Sequence, residues 1–97
     1  MGRFRYGPRG DGFALDDRTL AHLEIVTLAK LRRHEPFALS LPGEGAARTT
    51  VWINDSSELV FEFDGEPGAP NRAWLDELID SANSPAGLRL SPEPRAD

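Results

Sequence analysis

The stretch PFALSLPGEGAARTTVWINDSSELVFEF, residues 36–63, alternates apolar and polar side chains with period two and is broken twice by turn chemistry. Phe37, Leu39 and Leu41 alternate with Ala38 and Ser40 until Pro42-Gly43-Glu44-Gly45 stops the run. Thr49 to Asn54 is β-branched and aromatic, Asn54-Asp55-Ser56-Ser57 is a turn cluster, and Leu59, Phe61 and Phe63 alternate with Val60 and Glu62. Successive side chains of a strand point to opposite faces, so each run has one apolar face to bury. Three consecutive strands joined by short turns predict an antiparallel meander.

On the N-terminal side of this stretch, Pro36 closes a run from Arg18 to Arg33 that contains neither Gly nor Pro. Asp16 or Asp17 can accept hydrogen bonds from its first amides, and Lys30, Arg32, Arg33 and His34 place cations at its carbonyl end, so the run reads as a helix. Its apolar residues, among them Leu20, Leu23, Ile25, Val26, Leu28 and Leu31, spread beyond one stripe and predict burial over most of the circumference. Before it, residues 3–6 and 12–15 alternate around the Gly- and Pro-rich segment 7–12 and predict a β-hairpin.

On the C-terminal side, Asn71 can cap a second helix whose Trp74, Leu75, Leu78, Ile79 and Ala82 share one face. Asn83-Ser84-Pro85 ends it, and Leu88-Arg89-Leu90 can add a short strand. Residues 1–90 are therefore expected to form a single α+β domain of order ββαβββαβ, a mainly antiparallel sheet with both helices on one face. Residues 91–97, polar and proline-containing, are expected to be a disordered tail.

The chain of 97 residues has no cysteine, which excludes disulfides, thiolate nucleophiles and Cys-based zinc sites and favours a reducing compartment. No run has signal-peptide or membrane-span length, so a cytoplasmic location without membrane contact is expected. Net charge is −5 and uneven: residues 1–35 carry seven Arg/Lys against five Asp/Glu, residues 36–97 four against eleven. An acidic total opposes tight non-specific binding to nucleic acid, although a local basic patch remains open.

If the apolar strand residues face the core, Arg3, Arg5, Ser40, Thr50, Trp52, Val60, Glu62 and Arg89 face water. Trp52 with Arg3, Arg5 and Arg89 is the first candidate binding surface, as an aromatic platform beside cations. The cationic helix end, Lys30, Arg32, Arg33 and His34, is the second. Arg pairing with Glu62 and complementing of the helix dipole explain the same residues without a ligand.

Met1-Gly2, Tyr6-Gly7, Asp16 to Leu23, Lys30-Leu31-Arg32-Arg33, Phe37 to Ser40, Trp52, Leu59 to Phe63, Asn71-Arg72-Ala73-Trp74 and Ser81 to Pro85 together resemble a small actinobacterial family of unknown function with chains of this length. Its members often bear the automatic label "ATP-dependent DNA ligase". Ligase chemistry requires a nucleophilic lysine in a Lys-x-Asp-Gly context, whereas the single lysine here, Lys30, is followed by Leu31-Arg32-Arg33. The chain is also too short for a nucleotidyltransferase fold.

Other catalytic constellations are thin. His22 and His34, twelve positions apart, fall on different faces of the helix. Asp16-Asp17 reads as capping, and the glycines at 7, 10 and 12 lack the βαβ context of a dinucleotide fingerprint. An enzyme would need groups assembled only by folding, such as His22 meeting Asp76 or Asp80. The expectation is a non-enzymatic module without cofactor or metal, binding a protein partner or a second copy of itself. The alternative is an accessory nucleic-acid binder linked to DNA repair.

Overall fold

The computed structural model describes residues 1–95 and has the expected order: β1 (Gly2–Tyr6), β2 (Asp11–Leu15), α1 (Asp17–Arg32), β3 (Phe37–Pro42), β4 (Arg48–Ile53), β5 (Leu59–Glu62), α2 (Arg72–Ala82) and β6 (Leu88–Arg89). It is an α+β fold. Its strands, however, form two three-stranded sheets: sheet A in the order β2-β1-β5 and sheet B in the order β4-β3-β6. All pairings are antiparallel except that of β3 with β6.

The meander expected over residues 36–63 therefore stops after its second strand. β3 and β4 pair from Phe37↔Ile53 to Pro42↔Arg48, but β5 leaves β4 and pairs with β1. The turn between β4 and β5 is closed on itself: the Ser56 amide donates to Asn54 Oδ1 and the Asn54 amide to Ser57 Oγ, both at 2.9 Å. The chain then meets β1, where the Gly7 amide donates to the Glu58 carbonyl at 2.9 Å. Aromatic pairing favours this partner. Phe4 is fully buried opposite both Phe13 and Phe61, with ring centroids 6.4 and 5.3 Å away.

α1 packs against β1 and α2, and α2 packs against β3 and β6. Phe4, Leu20, Leu23, Val26, Leu39, Leu41, Ile53, Leu78 and Leu88 are completely buried and form one core shared by both sheets. Tyr6 Oη, on the middle strand of sheet A, donates to the Trp52 carbonyl on an outer strand of sheet B and links the two sheets. α1 is buried over less of its circumference than its apolar content suggested: Leu28 is 45% exposed, while His22, Thr27 and Lys30 occupy buried positions.

Helix ends follow local chemistry. Asp16 Oδ1 accepts the Thr19 amide at 2.7 Å, while Asp17 accepts the Gly65 amide at 2.8 Å and so ties the start of α1 to the loop after β5. At the other end, the Glu35 amide donates to the Lys30 carbonyl and the His34 amide to the Leu31 carbonyl. This is a Schellman closure, with His34 at φ 56 in the left-handed position that glycine usually fills. In α2, Asn71 Oδ1 accepts the Trp74 amide.

The segment expected as a tail is not loose at its start. Trp74 Nε1 donates to the Ser91 carbonyl at 3.1 Å, Arg18 donates to Glu93 at 2.7 and 2.9 Å, and Asn71 Nδ2 donates to Glu93 and to the Pro94 carbonyl at 3.0 and 2.9 Å. Composition underrates such a strap because its partners come from distant polar groups, and its prolines reduce the entropy lost on ordering. Ala96 and Asp97, which end the expected tail, lie outside the described residues.

Candidate functional site

The residues expected on one wet face lie on two. β1 carries Arg3 and Arg5 opposite Glu62 and Val60, all on the outer face of sheet A. Trp52 and Thr50 of β4 lie opposite Ala38 and Ser40 of β3, and Ser40 adjoins Arg89 of β6, all on the outer face of sheet B. The joint surface of Trp52 with Arg3, Arg5 and Arg89 is corrected accordingly. Period-two alternation says which residues turn outward, but it does not say to which sheet each strand belongs.

On sheet A one of the two cations, Arg5, is held. Arg5 Nε donates to Glu62 Oε1 at 2.7 Å and its Nη1 to the Gly10 carbonyl at 3.2 Å. Arg3 reaches over Gly12, so both arginine side chains lie flat against β2. Glu62 across the strands and the Gly10 carbonyl together account for Arg5.

Sheet B is different. Its strands, Phe37–Pro42, Arg48–Ile53 and Leu88–Arg89, contain no Asp or Glu. Arg48 and Arg89 line one end of the outer face, beside a cleft of about 280 Å³ that also involves Ser40, Pro42 and Ala47. Among the described residues neither arginine forms an ion pair. Ser40 Oγ and Thr50 Oγ1, 3.2 Å apart, lie in the middle of the face. At the other end Trp52 is 55% exposed and stands between two hollows. One hollow is lined by Phe37, Ala38, Asn83 and Pro85, the other by Tyr6, Pro8, Asn54 and Ser57.

Arg48 escaped the sequence reading, which started this strand at Thr49. Counting back from Trp52 in steps of two reaches Thr50 and then Arg48, so the signal was present once the strand was lengthened by one residue.

The second candidate patch is not assembled as four free cations. Lys30 is buried, donating to Asn83 Oδ1 and pairing with Glu35 at 3.3 Å. His34 Nδ1 lies 2.8 Å from Asp55 Oδ2. Only Arg32 and Arg33 of that group remain exposed without an ion pair among the described residues. Long side chains at a helix end fold back onto local acceptors, which a count of positive residues does not register.

His22 does not meet Asp76 or Asp80. Its Nε2 accepts the Asn71 amide at 2.8 Å, which fixes the neutral tautomer with the proton on Nδ1, and that proton is donated to the Arg18 carbonyl at 2.7 Å. The ring also packs on Trp74 with centroids 4.5 Å apart. His22 thus joins α1 to the start of α2. Just outside it, Arg18 and then Asn71 hold the Glu93 carboxyl at a pKa of about 2, well below the usual carboxylate range, and Glu93 raises Arg18 in return. Among the described residues no group of three or more His, Asp or Glu side chains is placed to hold a metal ion, and no helix is long and apolar enough to cross a membrane.

No curated protein and no solved structure matches the chain. A family model does, over residues 1–93: the chain belongs to the family described as Domain of unknown function (DUF7882).

Proposed function

We propose that this domain is a non-catalytic binding module for another protein chain, with the outer face of sheet B as its contact surface. The observation that carries the reading is Trp52: a large aromatic side chain, mostly exposed, on a rigid strand and flanked by hollows that a partner's side chains can fill. Interface energy concentrates in a few Trp, Tyr and Arg side chains surrounded by weaker contacts, and this face presents one Trp and two Arg that form no ion pair among the described residues. The groups best suited to chemistry support the non-catalytic part of the reading. His22 has both ring nitrogens engaged, and the single lysine is buried on Asn83 and Glu35.

Selection of displayed random dodecapeptides on the wild-type domain, with the Trp52→Ala variant as counter-selector, tests this. Enriched peptides are expected to bind the variant at least tenfold more weakly, with its thermal midpoint unchanged. Peptides that bind both equally, or no enrichment, would overturn the reading. Sedimentation of the wild type over a concentration series asks whether the partner is a second copy.

A nucleic-acid reading has one observation in its favour, the combination of Trp52 with Arg48 and Arg89. Its magnitude is small. Two neutralised phosphates on a single strand give a log–log salt slope of only about −1.4, against a chain of net charge −5. Fluorescence anisotropy with a labelled oligothymidylate at low and moderate salt tests it directly.

A further inference from the structure

Resting on the protein-binding reading, we infer that the occupant of sheet B's outer face is an extended acidic peptide, its carboxylate held by Arg48 and Arg89 and an apolar side chain four residues away on Trp52. Charge complementarity selects the acid. The three strands of sheet B carry two arginines and no carboxylate in a chain whose net charge is −5, so the face is a local positive site within a negative molecule. The cleft at that end is bordered by both guanidinium-bearing residues, and guanidinium groups bind carboxylates in charge-assisted, often bidentate pairs.

Spacing selects the conformation. Arg48 and Trp52 are four residues apart on one strand and on one face, a separation of about 13 Å at the rise of a β-strand. An extended peptide advances at nearly the same rise. Its residues i and i+4 therefore fall on the two ends, whereas a helix would cover only about 6 Å in four residues. Between the ends, the exposed Thr50 hydroxyl, paired with that of the buried Ser40, offers the peptide backbone one polar contact.

The test is nuclear magnetic resonance titration of the full ¹⁵N-labelled chain with synthetic octapeptides of Gly, Ser and Thr carrying one Phe and one Glu, separated by two to six residues. Trp74 supplies an internal reference, because its indole N–H is tied to the Ser91 carbonyl. The Trp52 indole signal is expected to move while that of Trp74 stays. The four-residue separation should bind at least tenfold more tightly than the two-residue one. Replacing the peptide Glu by Gln, or Arg48 and Arg89 together by Gln, should each weaken binding tenfold or more without changing the thermal midpoint. Binding that ignores the separation or the two arginines overturns this inference but leaves the protein-binding reading standing if Trp52→Ala still abolishes it. Saturable binding of an oligothymidylate on this face, with none of the peptides, overturns both.

Discussion

The two sheets present outer faces that look interchangeable in sequence and are opposite in state. Sheet A turns out Arg3, Arg5, Val60 and Glu62, and its Arg5 is spent on Glu62 and the Gly10 carbonyl. Sheet B turns out Arg48, Thr50, Trp52 and Arg89 around the buried Ser40, and its arginines have no carboxylate on their own strands. The same pattern of cations on a wet strand is partly satisfied in one place, at Arg5, and without an ion pair among the described residues in the other. A single acidic residue, Glu62, makes the difference. Charge on a surface becomes informative only when the local partners have been accounted for.

The largest expected effect comes from breaking sheet B itself. Gly87 leads into β6 at φ 81, and a Cβ there would stand 2.6 Å from the Ala38 carbonyl oxygen and 2.8 Å from Ala38 Cβ. The left-handed backbone costs a non-glycine residue about 1–2 kcal/mol, and overpacking adds about 1–3 kcal/mol. Gly87→Ala should therefore destabilise by about 3 kcal/mol in urea unfolding and displace Arg89 from the face. An unchanged midpoint would mean that β6 can be moved aside cheaply and that the sheet B face is not a fixed platform.

How far this contrast could be read in the sequence depends on which physical information is local. Strand and helix positions were legible because alternation, caps and Pro/Gly breaks act within a few residues: Asp16 and Asn71 cap as expected, and Leu88-Arg89 forms the short last strand. The partner of β5 was not, since Leu59, Phe61 and Phe63 would suit β4 as well as β1, and the choice falls to Phe4 on a distant strand. That one pairing divides the wet face and separates Arg3 and Arg5 from Trp52. The contacts of Lys30 and of the Ser91–Pro94 strap were not legible for a related reason. Both are polar segments whose partners, Asn83 for one and Arg18, Asn71 and Trp74 for the other, lie far along the chain.

The strap extends the comparison to a third arginine, Arg18, which is paired like Arg5 but with a carboxylate that is strongly perturbed. Glu93 falls from an ordinary value of 4.5 when unfolded to about 2 when folded. A depressed folded-state pKa contributes stability that is fully present above the unfolded value and is lost as pH falls through the folded one. The wild type should thus lose stability progressively between about pH 4.5 and pH 2 relative to Glu93→Gln. Parallel acid curves for the two proteins would show that the Arg18–Glu93 pair does not hold in solution.

A smaller effect, of opposite sign, is expected at the end of α1. His34 holds a left-handed backbone, φ 56, and its contact to Asp55 joins side chains that are 79% and 56% exposed. His34→Gly removes the backbone cost and loses only a surface contact. A gain of about 0.5–1 kcal/mol in thermal or urea unfolding should follow. A loss instead would mean that the His34–Asp55 contact is stronger than its exposure allows and that the helix end is a second organised charge site.

The finest test addresses the pairing on which the two faces differ. A double-mutant cycle between Arg5→Gln and Glu62→Gln should give a coupling of about 0.5 kcal/mol, as expected for a partly exposed pair with good geometry. The same cycle with Arg89→Gln in place of Arg5→Gln should give none, because Arg89 lies on the other sheet. The measurement is small but decides between two descriptions of sheet A. With coupling at Arg5, that cation is structural, and sheet B keeps two arginines without an ion pair among the described residues to offer a partner. With none, Arg5 is held by the Gly10 carbonyl alone, Glu62 is free, and sheet A presents a mixed surface of its own.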